Sequence, residues 1–255
     1  MRGHAPLQEK RGVSPFLSYN AYDMNPLHQN GFWYLPGRLY DLAFGGISRG
    51  LRRRVSAAVE QEDLYPWLDV CCGTGSQFRG RTDVKKRGSN LPFAQKRVKG
   101  RFDPLLDRVV CGLDKSLGFV RYAAARAPGR PFICGDAGQL PFRNGAFRAL
   151  SISFGLHDKS PELRRAMMAE AKRVLAPGGR LIAVDFENAW SARSRAGALA
   201  VRTVERLAEG KHYRNGREFL SRGGLRAFLQ ESGFTEVSRH DVEIGSISVV
   251  VASPR

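Results

Sequence analysis

The feature that most constrains this chain is a short apolar run that breaks into a turn of small residues, Trp67-Leu68-Asp69-Val70-Cys71-Cys72-Gly73-Thr74-Gly75. The run Trp67 to Val70, bounded at once by the turn, reads as a buried parallel strand. Gly73 and Gly75 have no Cβ, so the backbone can bend sharply there and a ligand can come close. Asp69, at the carboxyl end of the strand, is placed to accept hydrogen bonds from that ligand. Strand, glycine turn and a crevice at the strand ends make up the nucleotide-site geometry of open α/β sheets.

The rest of the chain agrees with such a sheet. Leu39 to Phe44 and Ile47 to Val59 have helical spacing, with Leu51, Val55, Ala58 and Val59 on one face and Arg52, Arg53 and Arg54 mostly outward. Beyond them strands at 66–70, 108–113, 131–134, 148–154 and 180–186 alternate with helices at 116–127, 161–175, 195–209 and 222–232. Pro177-Gly178-Gly179 separates a helix from a strand. Phe234 to Ala252 reads as two more strands. The alternation predicts an α/β fold: a doubly wound, mostly parallel, seven-stranded Rossmann-like sheet with an antiparallel pair at one edge. An irregular arm covers 1–36, and one domain covers 37–255. That domain carries a basic insertion at 79–108, rich in Arg and Lys and interrupted by Gly80, Gly88, Pro92 and Gly100. The interruptions leave room for only a short helix near 75–79.

Composition bounds the function. Hydrophobic residues make up 42% of the 255 and charged residues 25%, enough apolar material for one sizeable core. No apolar run approaches the ~20 residues that cross a bilayer, and Met1-Arg2-Gly3-His4 leads into polar sequence without the apolar segment of a secretory signal. A cytoplasmic protein is expected. Cys71, Cys72, Cys111 and Cys134 lack the paired spacing of a zinc site, and no metal is expected. They read as small packing residues kept reduced. The net charge of +17 suits nucleic acid, an anionic lipid surface or an acidic small substrate, and equally an arginine-rich solvated surface.

Five segments in order carry a family resemblance: Leu68 to Gly75, Val110-Cys111-Gly112-Leu113-Asp114-Lys115-Ser116, Gly135-Asp136-Ala137-Gly138-Gln139-Leu140-Pro141-Phe142, Ile152-Ser153-Phe154-Gly155-Leu156, and Leu175-Ala176-Pro177-Gly178-Gly179-Arg180-Leu181. Over roughly 38–78 and 108–255 the chain resembles class I S-adenosylmethionine (SAM)-dependent methyltransferases, of the ubiquinone/menaquinone-biosynthesis C-methyltransferase type. The resemblance implies that the first turn holds the methionine part of SAM through Asp69, Cys71, Gly73 and Gly75, with Cys71 standing where this turn usually has its first glycine. It implies that Asp114, with Lys115 beside it, takes the ribose hydroxyls, and that Asp136 and Ala137 meet the adenine edge. Ser153 and Phe154 then lie under the transferable methyl, and the Tyr40-Asp41 pair lends an aromatic ring that closes the pocket. Asp114 also stands where a helix N-cap would, Asp136 suits a plain turn, Phe154 suits the core, and Tyr40 suits ordinary helix packing.

In such an enzyme the sulfonium already activates the methyl, so positioning carries most of the catalysis. A base is needed where the nucleophile must lose a proton. His157 and Asp158 after the fourth strand, and His212 near Tyr213, are the candidates. The acceptor is expected against a lid region at 188–224, where Trp190, Leu199, Leu207, Tyr213 and Phe219 are interleaved with arginines. That mix fits a small-molecule or lipid-like acceptor, a quinol or phenol, methylated at carbon or oxygen, and it fits an ordinary helix with a basic outer face. Peripheral association with an anionic membrane is compatible with it. RNA or protein as acceptor is the alternative suggested by the basic charge, and it is disfavoured because the insertion lacks interleaved aromatics for base stacking. A SAM-binding protein without activity is the third reading. The sequence leaves the oligomeric state open.

Overall fold

Trp67, Leu68, Asp69 and Val70 are all buried, as a strand covered on both faces requires. The computed structural model describes residues 37–78, 110–188, 191, 195, 210–242 and 246–255. The expected arm at 1–36, the whole of the insertion at 79–108, and the expected helix at 195–209 beyond its first residue lie outside the described residues, as do Trp190, Leu199 and Leu207. The strands are β1 (Trp67–Val70), β2 (Val110–Asp114), β3 (Phe132–Cys134), β4 (Phe147–Ser153), β5 (Leu175–Phe186), β6 (Phe234–Val242) and β7 (Ile247–Pro254). The helices are α1 (Gly37–Gln61), α2 (Leu117–Arg126), α3 (Pro161–Val174), α4 (Gly210–Ser221) and α5 (Gly224–Glu231). A single 3-10 turn, Ser76–Phe78, follows the glycine turn.

The sheet has seven strands in the order β3-β2-β1-β4-β5-β7-β6. β1 to β5 run parallel, and β7 joins β5 and β6 antiparallel, as the edge pair predicted. Strand order reverses between β1 and β4, so the carboxyl ends of these two strands border the crevice where such sheets bind ligands. Side chains alternate between the faces with period two. Leu68, Val70, Leu150, Ile152, Leu181 and Ala183 pack with Met167, Met168 and Val174 of α3 and with Phe219, Leu225 and Leu229 of α4 and α5. Trp67, Ala149, Ile182 and Val184 pack on the other face with Leu51, Val55 and Val59 of α1.

Local chemistry explains the helix starts. Ser160 caps α3 by accepting from Leu163 N at 3.3 Å, with Pro161 in the first turn and Lys172 and Arg173 in the last. Ser116 caps α2 by accepting from Phe119 N at 3.3 Å. The cap is therefore Ser116, and Asp114 is left for other partners.

Three expectations need correction. The two helical stretches at 39–44 and 47–59 are one continuous helix, α1. Pro177-Gly178-Gly179 does not separate α3 from a strand: β5 already starts at Leu175, which pairs with Phe147, and a register shift between Phe147 and Ala149 absorbs the irregular residues before Arg180 resumes the ladder. Residues 210–221 form α4 within the region expected as a lid, and Phe219 sits in the core instead of lining an acceptor cavity.

Gly75 shows how tightly the turn after β1 is packed. Its φ is +67°, and a Cβ there would lie 2.7 Å from Ala123 Cβ and 3.1 Å from the Phe132 ring. Left-handed backbone costs a side-chain-bearing residue about 1–2 kcal/mol and overpacking about 1–3 kcal/mol. Gly75→Ala is expected to destabilise the fold by about 3 kcal/mol in urea unfolding, and a variant as stable as the wild type would contradict this close approach.

Candidate cofactor and acceptor site

The turn after β1 is held from three sides. Asp114, last residue of β2, accepts from Gly73 N and Ser116 N, each at 2.8 Å, so one carboxylate ties the glycine turn to the end of the neighbouring strand. Asp41 of α1 accepts from Thr74 Oγ1 at 2.7 Å and from the Tyr122 hydroxyl of α2 at 3.1 Å. Buried Gln77 donates to Arg52 O at 3.0 Å and Ser56 Oγ at 2.9 Å, anchoring the 3-10 turn to α1.

The turn itself is strained at one non-glycine position. Cys71 has φ +58°, a conformation that favours glycine. Its side chain lies where a Cβ on Gly155 would come, 3.0 Å from both Cys71 Cβ and Sγ, so the turns after β1 and β4 fit face to face. A Cβ on Gly73, by contrast, would meet nothing within 4 Å. Open space in front of that glycine is room for a ligand against the backbone.

Asp69 points to a different partner from the one its position suggests. It is buried, and Ser151 Oγ, directly across on β4, donates to its Oδ1 at 2.5 Å while accepting from Trp67 Nε1 at 2.8 Å. Burial pushes its carboxyl up to about 7, against the Ser151 hydrogen bond and with help from the charge of Asp114. Burial likewise raises Asp114, opposed by the N–H groups of Ser116 and Gly73. Burial drives the Cys71 and Cys111 thiols up to about 12, which leaves them inert. All four cysteines are unbridged.

On the β3 side, Asp136 Oδ1 accepts from Gly138 N at 2.8 Å, a turn bond, while Oδ2 lies 3.7 Å from the exposed Lys115 Nζ. Ala137 packs against the core. Ser153 ends β4, and Phe154 follows at φ +54° with its ring centroid 5.7 Å from that of Phe186. Tyr40 falls in α1, and its side chain is outside the described residues.

The three candidate proton carriers come together. His157 is buried, and its Nδ1 lies 2.7 Å from Asp185 Oδ1. The His212 ring, from α4, meets His157 edge-on at 5.4 Å, and its Nδ1 is 3.6 Å from Asp158 Oδ2. Burial opposes ionisation of Asp158, yet hydrogen bonding by His212 and the charge of Lys159 hold it well below the usual carboxylate range. Lys159 pairs with Asp158 and is raised by it in spite of burial. The charges of Asp158 and Lys159 are felt at both Asp114 and Cys71, which puts the two turns on one electrostatic crevice.

Several residues of this cluster carried no sequence signal that was used. Arg164, almost fully buried on α3, donates from Nε to Lys159 O at 2.9 Å and from Nη2 to Glu218 Oε2 at 2.5 Å and Asn215 O at 3.3 Å. Asn215 donates in turn to Asp158 O at 2.8 Å. These bonds pin α4 to the loop after β4. Asp185 interrupts an apolar strand as Asp69 does, and that shared pattern is the signal that would have found it. A groove of about 530 Å³ between α5 and the β6–β7 edge, lined in part by Glu187, Arg226, Phe234, Glu236 and Arg255, includes none of these site residues in its lining.

Comparison with known proteins agrees with this geometry. A family model described as a methyltransferase domain matches residues 98–183, beginning only after the glycine turn. The chain is 33% identical over 168 residues to demethylmenaquinone methyltransferase of Beutenbergia cavernae, covering 64% of this chain and 60% of that protein. It is 28% identical over 225 residues to the enzyme of that name from Streptomyces griseus, covering 82% and 87%, and 29% identical over 226 residues to the ubiquinone/menaquinone biosynthesis C-methyltransferase of Methylobacterium nodulans, covering 82% of each. Of several curated relatives it matches, the chain spans only 52% to 60% of the length. In fold it is similar to PH0226 protein from Pyrococcus horikoshii, at a TM-score of 0.53, 18% identity and coverage of 82% and 92%. It is similar also to magnesium protoporphyrin IX methyltransferase from Synechocystis, solved with bound SAH, at 0.50, 16%, and 81% and 83%. By its motifs and these relatives, the chain is similar to SAM-dependent methyltransferases of the ubiquinone/menaquinone-biosynthesis C-methyltransferase type.

Proposed function

We propose that this protein transfers the methyl group of SAM to a small-molecule, lipid-like acceptor of the quinol or phenol class, at carbon or oxygen. The observation that carries the reading is the convergence, at the ends of adjacent strands, of an open glycine turn, a half-buried strand-end carboxylate bound to it, and a carboxylate-paired histidine. The names of the relatives, which act on demethylmenaquinone, point to the same acceptor class.

The residues present fit the cofactor. Asp114 uses one lone pair on each oxygen for Gly73 and Ser116, and a carboxylate has about four acceptor sites, so two remain for the ribose hydroxyls. Gly73 leaves backbone space for the methionine part. Buried Asp69 and half-buried Asp114, both shifted upward, make a site whose negative charge is costly until a cation enters, which matches a cationic ligand. Asp136 and Ala137 would border the adenine, Ser153 and Phe154 the reacting end, and Tyr40 the mouth. When bound, SAM supplies a methyl already activated by its sulfonium. The chain's own tasks are to hold acceptor and cofactor in line, to exclude water, and to take a proton from the acceptor at His157. No helix among the described residues is long and apolar enough to cross a membrane. A lipid-like acceptor would be reached from the cytoplasm at an anionic membrane surface, which the exposed Arg49, Arg53 and Arg54 of α1 suit.

Calorimetry with SAM and a radiolabelled-methyl assay on a panel of quinols, phenols and lipids test the reading. His157→Ala is expected to lower turnover at least tenfold with SAM affinity unchanged. No SAM binding at millimolar concentration would sink the cofactor assignment, and normal turnover in the variant would remove His157 as the base.

A further inference from the structure

Asp185 lies at the carboxyl end of β5, fully buried in the otherwise apolar run Leu181 to Phe186. Its carboxylate accepts four hydrogen bonds. Oδ1 faces His157 Nδ1 at 2.7 Å and Phe186 N at 2.8 Å; Oδ2 accepts from Leu156 N at 3.0 Å and His157 N at 3.3 Å. Three backbone N–H groups thus aim the carboxylate, and the carboxylate aims one ring nitrogen. An ionised carboxylate can only accept, so Nδ1 carries the proton and the neutral ring keeps its basic lone pair on Nε2. The ring is further fixed edge-on by Phe186 at 4.7 Å and by His212 at 5.4 Å. Among the described residues, the charged and titratable groups around it include Asp185 from β5, Asp158 and Lys159 from its own loop, and His212 from α4.

We propose that Asp185 is the positioning residue that keeps His157 in the one tautomer whose Nε2 can take the acceptor's proton. This rests on the reading of His157 as the base. The acceptor hydroxyl gives its proton to Nε2, its electron pair stays on the acceptor, and the imidazolium formed is neutralised by Asp185 at Nδ1.

The four bonds make a sharp test possible. In Asp185→Asn one oxygen becomes an NH2 donor. Placed at Oδ2, that donor would face two backbone N–H groups. Placed at Oδ1, it faces one N–H group and the ring nitrogen. The second arrangement loses fewer bonds, and a donor facing Nδ1 requires the lone pair there. The proton then moves to Nε2 and the base is blocked, with the ring hardly displaced. The same tautomer logic operates in hydrolases whose histidine is oriented by an aspartate.

The full chain labelled with 15N-histidine, its signals assigned with a His157→Gln variant, reads the tautomer directly by NMR at a pH where the ring is neutral. The wild type is expected to show His157 protonated on Nδ1, and Asp185→Asn to show it protonated on Nε2. With demethylated naphthoquinol as the acceptor probe, the Asn variant is expected to lose at least tenfold in kcat while SAM affinity changes less than about twofold. A wild-type ring protonated on Nε2, or an Asn variant that keeps the Nδ1–H tautomer, overturns the proposal. The wild-type spectrum alone decides the matter should the Asn variant not fold. If both tautomers come out as stated but His157→Ala still turns over normally, the base assignment falls while the hold of Asp185 on the ring stands.

Discussion

Asp114→Ala is expected to raise the dissociation constant for SAM about 100-fold or more, with a small change in stability. The carboxylate ends β2 and already accepts from Gly73 N and Ser116 N, each at 2.8 Å. Two acceptor sites remain for the ribose hydroxyls, and a hydrogen bond to a charged group contributes about 1.5–3 kcal/mol. Losing two such bonds at the lower figure already gives about 3 kcal/mol, which is two decades of affinity. The loss also frees Gly73, so the turn that must lie against the methionine part is no longer tied to β2. Stability should move little, because two released N–H groups are offset by removal of a carboxylate that burial makes unfavourable. Asp114→Asn should fall between, near tenfold. One oxygen can still accept, but the amide NH2 must face either Gly73 N–H or Ser116 N–H. Calorimetry with SAM separates the cases, and an Ala variant within threefold of the wild type would remove Asp114 from the cofactor site.

Much of this site was legible because a doubly wound sheet sends its functional side chains to strand ends, and strand ends are marked in sequence. Asp69 follows from that rule, the family resemblance implies Asp114, Asp136 and Ser153, and each lies near the carboxyl end of a strand. What the rule cannot give is the partner across the sheet. Asp69 looked turned toward a ligand, yet register places Ser151 opposite it and the hydrogen bond forms there. α4, offered by the sequence only as an alternative to a lid, is hard to place for another reason. Its buried positions are His212, Gly216 and Phe219, spaced as one helix face should be, but only one of the three is an apolar residue of the kind such a search weighs. Its surrounding Lys211, Arg214, Asn215 and Arg217 are polar or charged and add no apolar period. The helix is held by Arg164 reaching across from α3, a contact between residues about fifty positions apart. The start of β5 was misplaced because Pro177 and Gly178 usually end elements; here they fall in the stretch before β7 joins the ladder, where only β4 pairs and a bulge can absorb them.

Asp69→Asn is expected to stabilise the fold at pH 8 and not at pH 4, with the difference opening between these limits. Asp69 is buried, and burial raises its carboxyl from 3.8 to about 7. The folded protein therefore holds this proton more tightly than the unfolded chain does. Below about 4 both forms are protonated and the group contributes nothing through ionisation. As pH rises toward 7 the unfolded chain ionises while the folded protein does not, so stability falls; above 7 both are ionised and the loss is constant. At 1.36 kcal/mol per pH unit the full loss is about 4 kcal/mol. Asn keeps an oxygen for the Ser151 hydroxyl and never ionises, so urea unfolding should show the variant overtaking the wild type as pH rises; a gap independent of pH would refute the linkage. The same cost explains how such an acid can serve the site. A bound cation lowers the carboxyl's pKa, so SAM should bind the wild type more tightly as pH rises through 7 and release a proton near neutrality. Calorimetry in buffers of different ionisation enthalpy reads that proton. In Asp69→Asn the proton release should vanish and SAM affinity should fall, most steeply at high pH, so that the stability gained on removing this buried charge is matched by a loss in holding the cofactor.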